Sequence, residues 1–235
     1  MASIFQFKEF AVDQTDCAMK INTDAVLLAS LVDVGESKRI LDIGTGTGVI
    51  ALMLAQRCTE SQVVAVEIDS AAAQRAQENF RNSRFHDRMK LHACAFQELA
   101  DEDTFDFIIS NPPFYTDSLH NPDARKKLAR HTNLEFFDEL FQFCSQYLST
   151  KGKLALILPT LLADELTEMA KSIDLNLQQE ILIRSFDGGE VIRKIILFEM
   201  GYTGAIASTE FIIYQEKGMH SEGYKAALKP YFLAF

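Results

Sequence analysis

From Arg39 onward, short apolar runs alternate with longer segments in which apolar residues recur every three or four positions. Residues 39–43 (RILDI), 62–67 (QVVAVE), 89–93 (MKLHA), 104–110 (TFDFIIS) and 153–158 (KLALIL) have the pattern of strands buried on both faces, as a parallel sheet requires. The segments between them are helical in period. Within 132–148, Thr132 and Glu135 have the spacing of a capping box, and Leu134, Phe137, Leu140, Phe141, Cys144, Tyr147 and Leu148 fall on one stripe. The alternation predicts a doubly wound, Rossmann-like α/β sheet.

Beyond Pro159 the pattern changes. A helix over 161–172 leads to two long strand-like runs, LNLQQEILIRS and VIRKIILFEM, joined through DGGE at 187–190. Asp187, Gly188 and Gly189 supply positive-φ positions for a hairpin, which makes these strands antiparallel neighbours. TEFIIYQ at 209–215 could add an eighth strand, and 221–230 a short terminal helix. Before Arg39, IFQFKEFAV alternates like a strand, and TDAVLLASLV reads as a helix capped by Thr23 or Asp24. With no repeat or linker in view, the expectation is a single domain: residues 1–38 as an extension packed beside the first strand, and 39–235 as the main body.

Composition narrows the setting. The start, MASIFQFKEF, lacks a signal peptide's cationic head and apolar stretch, and no run reaches the ~20 apolar residues of a membrane span, so a cytoplasmic protein is expected. Cys17, Cys58, Cys94 and Cys144 are far apart with no C-x-x-C pair, which predicts reduced, mostly buried thiols and no metal site. A net charge of −10 excludes a generic, charge-driven nucleic-acid binder; any such contact must be local. The conspicuous basic cluster is RKKLARH at 125–131.

The first strand ends in LDIGTGTGV, residues 41–49. Gly44, Gly46 and Gly48 let the backbone turn tightly and approach a ligand at a helix N-terminus. A dinucleotide fingerprint wants glycine at position 49, where this chain has valine, and Asp42 would repel phosphates but welcome a cationic group. Glu67, nineteen residues after Gly48, ends the second strand where an acid accepts ribose hydroxyls. An acid-led glycine loop with a ribose acid indicates a nucleoside cofactor with a cationic tail, and S-adenosylmethionine fits.

The fourth strand runs into ISNPPFYTD, residues 109–117, where Pro112 and Pro113 end the strand's hydrogen bonding. With DIGTGTG as a cofactor loop and NPPF as an amino-group methylation motif, the chain resembles the class I methyltransferases. That resemblance implies about seven strands with the last antiparallel. FKEFAVDQTDCAMKINTDAVLLAS, NPPFY and SEGYKAAL further resemble the bacterial tRNA (adenine-N6)-methyltransferases that modify adenosine 37, next to the anticodon of a valine tRNA.

The resemblance assigns Lys20, Asn22, Thr23 and Asp24 to a motif closing over the methionine end of S-adenosylmethionine, with Asp42, Gly44, Gly46 and Gly48 beneath it. Glu67 and Ile68 resemble the ribose and adenine contacts. Where relatives carry an Asp or Asn for the adenine amine, this chain has CAFQEL, leaving Ala95 and Phe96 for that contact. The Asn111 side-chain oxygen and the Pro112 carbonyl would each accept an amine hydrogen of the target base; Pro113 adds rigidity and Phe114 stacks on the base. Tyr115 is either a second stacking surface or packing. Arg125, Lys126, Lys127 and Arg130 would contact tRNA phosphates, or else form a solvated helix start in the long connection between Tyr115 and Thr132.

The implied products are N6-methyladenosine and S-adenosylhomocysteine, from a monomer acting on tRNA rather than DNA and without a metal. NPPF also serves enzymes that methylate the guanine amine of ribosomal RNA or the glutamine amide of release factors. The latter carry a helical domain before the cofactor loop, for which 38 residues leave little room. A non-catalytic adaptor of the same fold that holds RNA is the alternative from another class.

Overall fold

The computed structural model describes residues 3–15, 17, 19–100, 103–112 and 122–235, with the side chains of 122–133 outside the description. The chain opens with β1 (Ile4–Gln6) and β2 (Ala11–Asp13), followed by α1 (Thr23–Leu31). Five strands and their crossovers follow: β3 (Arg39–Ile43), α2 (Val49–Arg57), β4 (Gln62–Val66), α3 (Ser70–Arg81), β5 (Met89–His92), β6 (Phe105–Ser110), α4 (Pro122–Tyr147) and β7 (Leu148–Leu158). The last part comprises α5 (Thr160–Ala170), β8 (Leu175–Arg184), β9 (Val191–Met200), β10 (Ala207–Ile212), β11 (Tyr214–Glu216), β12 (Met219–His220) and α6 (Glu222–Leu228).

Eight strands make one sheet in the order β10-β8-β9-β7-β6-β3-β4-β5. Within it, β9 alone runs against its neighbours β7 and β8. The seven expected strands are therefore β3 to β9, with the seventh antiparallel, and β10 adds an eighth at the edge, parallel to β8. The two-sided burial read from the apolar runs is realised by strict alternation. Ile40, Phe107, Ile109, Ala155 and Ile157 face one core with α1 and α2. Leu41, Ile108, Leu154, Leu156 and Leu158 face a second core with α4 and α5. Each fully buried Leu, Ile or Phe contributes about 1.5–3 kcal/mol, so the central strands are the most strongly held backbone in the molecule.

Several expectations are corrected. IFQFKEFAV is a hairpin of two short strands rather than one strand. The cap of α1 is Asn22, whose side chain accepts the Ala25 N–H, and neither Thr23 nor Asp24. Helix α4 begins at Pro122, so Thr132 lies inside it rather than at its start; proline suits a first helical turn, where no N–H partner is needed. Leu148 opens β7 five residues before the expected Lys153, because the register against β6 shifts between Phe105 and Phe107. In the β8–β9 turn only Gly188 has positive φ, not Asp187 or Gly189. Cys144 is buried, whereas Cys17, Cys58 and Cys94 are partly exposed; all are free thiols.

The N-terminal hairpin is tied into the body at two points. Asn79 of α3 accepts the Asp13 N–H at 2.9 Å and donates back to the Asp13 carbonyl at 3.0 Å. Phe7 bridges to Phe232, and Lys8 Nζ donates to the Phe235 carbonyl at 2.8 Å, which closes the first residues against the last.

Candidate active site

The chain leaves β3 outward to β4 and β5, then returns to β6 on the other side of β3. That reversal opens a crevice at the carboxyl ends of β3 and β6, where ligands bind in open α/β sheets. Register sets the two motifs side by side: Ile43, just before Gly44, pairs with Ser110, just before Asn111. The buried Ser110 hydroxyl donates to the Ile43 carbonyl at 2.8 Å and locks the two strand ends together.

The glycine loop is stitched down at every turn. Gly44 and Thr45 N–H both donate to the Val66 carbonyl, at 2.9 and 3.1 Å. Asp42, fully buried, accepts the Thr45 hydroxyl at 2.5 Å and the Ala51 N–H at 3.2 Å, so one carboxylate oxygen holds both the loop and the first turn of α2. Asp42 is therefore enclosed behind the loop it holds rather than exposed at the strand end. Its other oxygen, Oδ1, is buried without a hydrogen-bond partner among the described residues. Burial pushes the carboxyl up to about 7, and Glu67 nearby adds to the rise against the two hydrogen bonds.

The three glycines divide into two jobs. Gly44 and Gly46 have φ of 69° and 58°, and a Cβ on either would meet nothing within 4 Å: bare backbone facing open space. Gly48 has φ 90°, and its Cβ would lie 2.5 Å from the Phe80 ring, so this glycine lets α2 pack on α3. Glu67, 9% exposed, accepts the Gly46 N–H at 2.8 Å on one oxygen and the Asp69 N–H at 2.9 Å on the other. Each oxygen keeps a second lone pair for a diol. Ile68 beside it is 76% exposed, an unshielded apolar surface next to the Glu67 carboxylate.

On the acceptor side, Pro112 is buried and Asn111 half-buried. Asn111 Nδ2 points to Asn22 Oδ1 at 3.5 Å, which brings the N-terminus of α1 against the end of β6. Asp24 is paired with Arg193 of β9 at 2.9 Å, and Lys20 and Thr23 are exposed on the same approach. Phe96 departs from expectation. Its ring is buried edge-on against Phe136 and Phe143 and is not an open surface for an adenine, while the partly exposed Ala95 carbonyl accepts the Glu98 N–H at 3.0 Å and keeps a second lone pair. Pro113, Phe114 and Tyr115 lie outside the described residues. Arg125, Lys126, Lys127 and Arg130 stand on the first turns of α4 rather than in a loop.

Sequence reasoning missed three groups: Thr45, Ser110 and Arg193. The three-residue spacing of Asp42 and Thr45 was a usable signal; the contact between Asp24 and Arg193, 169 positions apart, left none. Arg184, Arg193, Lys194 and Lys225 are all drawn into ion pairs, with Glu210, Asp24, Asp164 and Glu222 respectively.

Strand order, glycine loop and an Asn-Pro strand end at the switch point together define a class I methyltransferase fold. Comparisons agree. The family described as "Methyltransferase small domain" matches residues 15–174. A predicted O-methyltransferase from Agrobacterium tumefaciens superposes with TM-score 0.70 at 19% identity, covering 88% of this chain and 96% of that one. A Pedobacter heparinus protein named tRNA1(Val) (adenine(37)-N6)-methyltransferase is 43% identical over the whole of both chains. One of the same name from Bacteroides thetaiotaomicron is 38% identical over 97% of each. The chain belongs to the tRNA1(Val) (adenine(37)-N6)-methyltransferase family.

Proposed function

We propose that this protein transfers a methyl group from S-adenosylmethionine to the exocyclic N6 of adenosine 37 in a valine tRNA, in the cytoplasm. The observation that carries the reading is the register of β3 and β6, which sets Asn111 and Pro112 beside the glycine loop. Full-length similarity to relatives of that name supports the choice of substrate.

The residues fit the cofactor. Open space over Gly44 and Gly46 admits it against bare backbone, Glu67 offers lone pairs to a ribose diol, and Ile68 covers one face of an adenine. When bound, S-adenosylmethionine supplies an electrophilic methyl on a sulfonium. The chain's own residues prepare the nucleophile. An exocyclic adenine amine is weakly nucleophilic because its lone pair is shared with the ring, and attack leaves the nitrogen positive. The Asn111 side-chain oxygen and the Pro112 carbonyl accept its two hydrogens, which favours a tetrahedral nitrogen and stabilises the developing charge. No strong base is required, since the proton leaves after the bond to carbon forms. Pro112 is buried, and the fixed φ of successive prolines stiffens the backbone that carries its carbonyl; a misplacement of ~1 Å can cost on the order of a hundredfold in rate.

The target base must be flipped or splayed to reach this crevice. Phe114 and Tyr115 follow as stacking surfaces, and the basic start of α4 supplies phosphate contacts in an otherwise acidic protein. Incubation with labelled cofactor and total bacterial tRNA, then nuclease digestion, should give labelled N6-methyladenosine. N2-methylguanosine, or label in protein alone, would refute it.

A further inference from the structure

We propose that Asn22 is a positioning residue that decides which end of the Asn111 amide faces the substrate amine. The proposal rests on the methyl-transfer reading of Asn111 and adds a partner to it. The Asn22 side-chain oxygen is already committed: as the cap of α1 it accepts the Ala25 N–H at 2.9 Å. That cap bond ties the oxygen to the first turn of α1, which is anchored by the buried Ala25 to Ala29 and by the Asp24–Arg193 ion pair at 2.9 Å. An oxygen so fixed accepts only a donor. Of the two ends of the Asn111 amide, only the NH₂ satisfies it, and Nδ2 is the atom found there, at 3.5 Å.

That contact selects one of the two orientations of the planar amide. With its NH₂ on Asn22, Asn111 presents its oxygen on the other branch, as the acceptor an amine hydrogen needs. Reversed, the amide would set its oxygen against the Asn22 oxygen, two acceptors face to face, and turn its NH₂ toward the amine of the substrate, two donors face to face. Asn22 therefore tunes transfer without touching the nucleobase.

Asn22→Ser separates this role from capping, because serine caps as well as asparagine but is too short to reach Asn111. Thermal stability should hold while kcat for tRNA falls about tenfold. Asn22→Asp, which keeps both acceptor functions, should recover most of that loss. On an Asn111→Asp background, where both side-chain oxygens accept, Asn22→Ser should cost nothing. An equal loss on both backgrounds, or a rise in cofactor KM with kcat intact, would overturn the proposal. A second readout needs no substrate: the Asn111 side-chain amide resonance in ¹⁵N-asparagine-labelled protein, assigned by its loss in Asn111→Asp, should shift on Asn22→Ser. A resonance that stays put overturns the coupling whatever the enzyme methylates. A shift in a protein that transfers no methyl to tRNA would instead strike the proposed function alone.

Discussion

The two halves of the crevice are built differently. On the β3–β4 side, the Thr45 hydroxyl donates to Asp42 at 2.5 Å and the Gly46 N–H to Glu67 at 2.8 Å, and Asp42, Thr45 and Glu67 are buried. On the β6 side, Asn111 is half-buried and its side chain is held by a single 3.5 Å contact to Asn22 among the described residues. A small cofactor of constant shape suits a rigid, preformed seat. A nucleotide that must leave its stack to be read suits an acceptor that tightens only once the amine arrives.

If that division is right, the largest effect of substitution is kinetic and confined to the loose half. Asn111→Ala should lower kcat about 10²–10³-fold, the usual loss for one transition-state hydrogen bond, while calorimetric affinity for S-adenosylmethionine stays within a few-fold. A parallel collapse of cofactor affinity would mean that the halves are not separate.

Changes in the rigid half should register as stability. Gly48→Ala sets a Cβ 2.5 Å from the Phe80 ring at φ 90°, and should cost about 3 kcal/mol and several degrees of Tm. Gly44→Ala, with open space around it, should cost only the ~1 kcal/mol of an unfavourable φ. Instead it should weaken cofactor binding. Equal Tm losses would erase the distinction between packing and ligand-facing glycines.

Asp42 gives the rigid half a pH signature. With its folded value raised to about 7 by burial, the folded protein keeps a proton that the unfolded chain releases near pH 4. Stability from this group therefore falls as pH rises from about 4 to 7 and levels off above. Asp42→Asn removes that slope, and its Tm relative to the parent should climb across the window. A difference independent of pH would show Asp42 ionised in the fold throughout.

The smallest effect belongs to the periphery. Changing Arg125, Lys126 and Lys127 together to Ala should raise the tRNA KM several-fold and flatten its salt dependence, by about 0.7–0.9 in log–log slope for each phosphate no longer neutralised. Four other basic residues, Arg184, Arg193, Lys194 and Lys225, already have acidic partners, which limits their share in phosphate contacts. An unchanged salt slope would move the tRNA-binding surface elsewhere.

The strands of the main sheet were readable because central parallel strands are apolar on both faces, and the β8–β9 hairpin because Gly188 marks its turn. Helix α4 was misjudged at its start, since PDARKKL carries no apolar stripe to mark it as helix. The cap of α1 was ambiguous because Asn, Thr and Asp stand in succession at 22–24 and cap with similar strength. At the site, residue type and strand-end position revealed the glycine loop, Glu67 and Asn111. Burial was not visible: nothing in DIGTGT shows that Asp42 faces inward, or in CAF that the Phe96 ring is core. Pairings across long separations, Asn22 with Asn111 and Asp24 with Arg193, exist only once the sheet brings strand ends together.

The central claim is that the Asn111 and Pro112 acceptors serve the exocyclic amine of one adenosine. Two transcripts of the valine tRNA, identical except for adenosine or guanosine at position 37, test it directly with labelled S-adenosylmethionine. The account predicts one methyl per molecule on the first, recovered as N6-methyladenosine, and none on the second. Equal incorporation into both would contradict it.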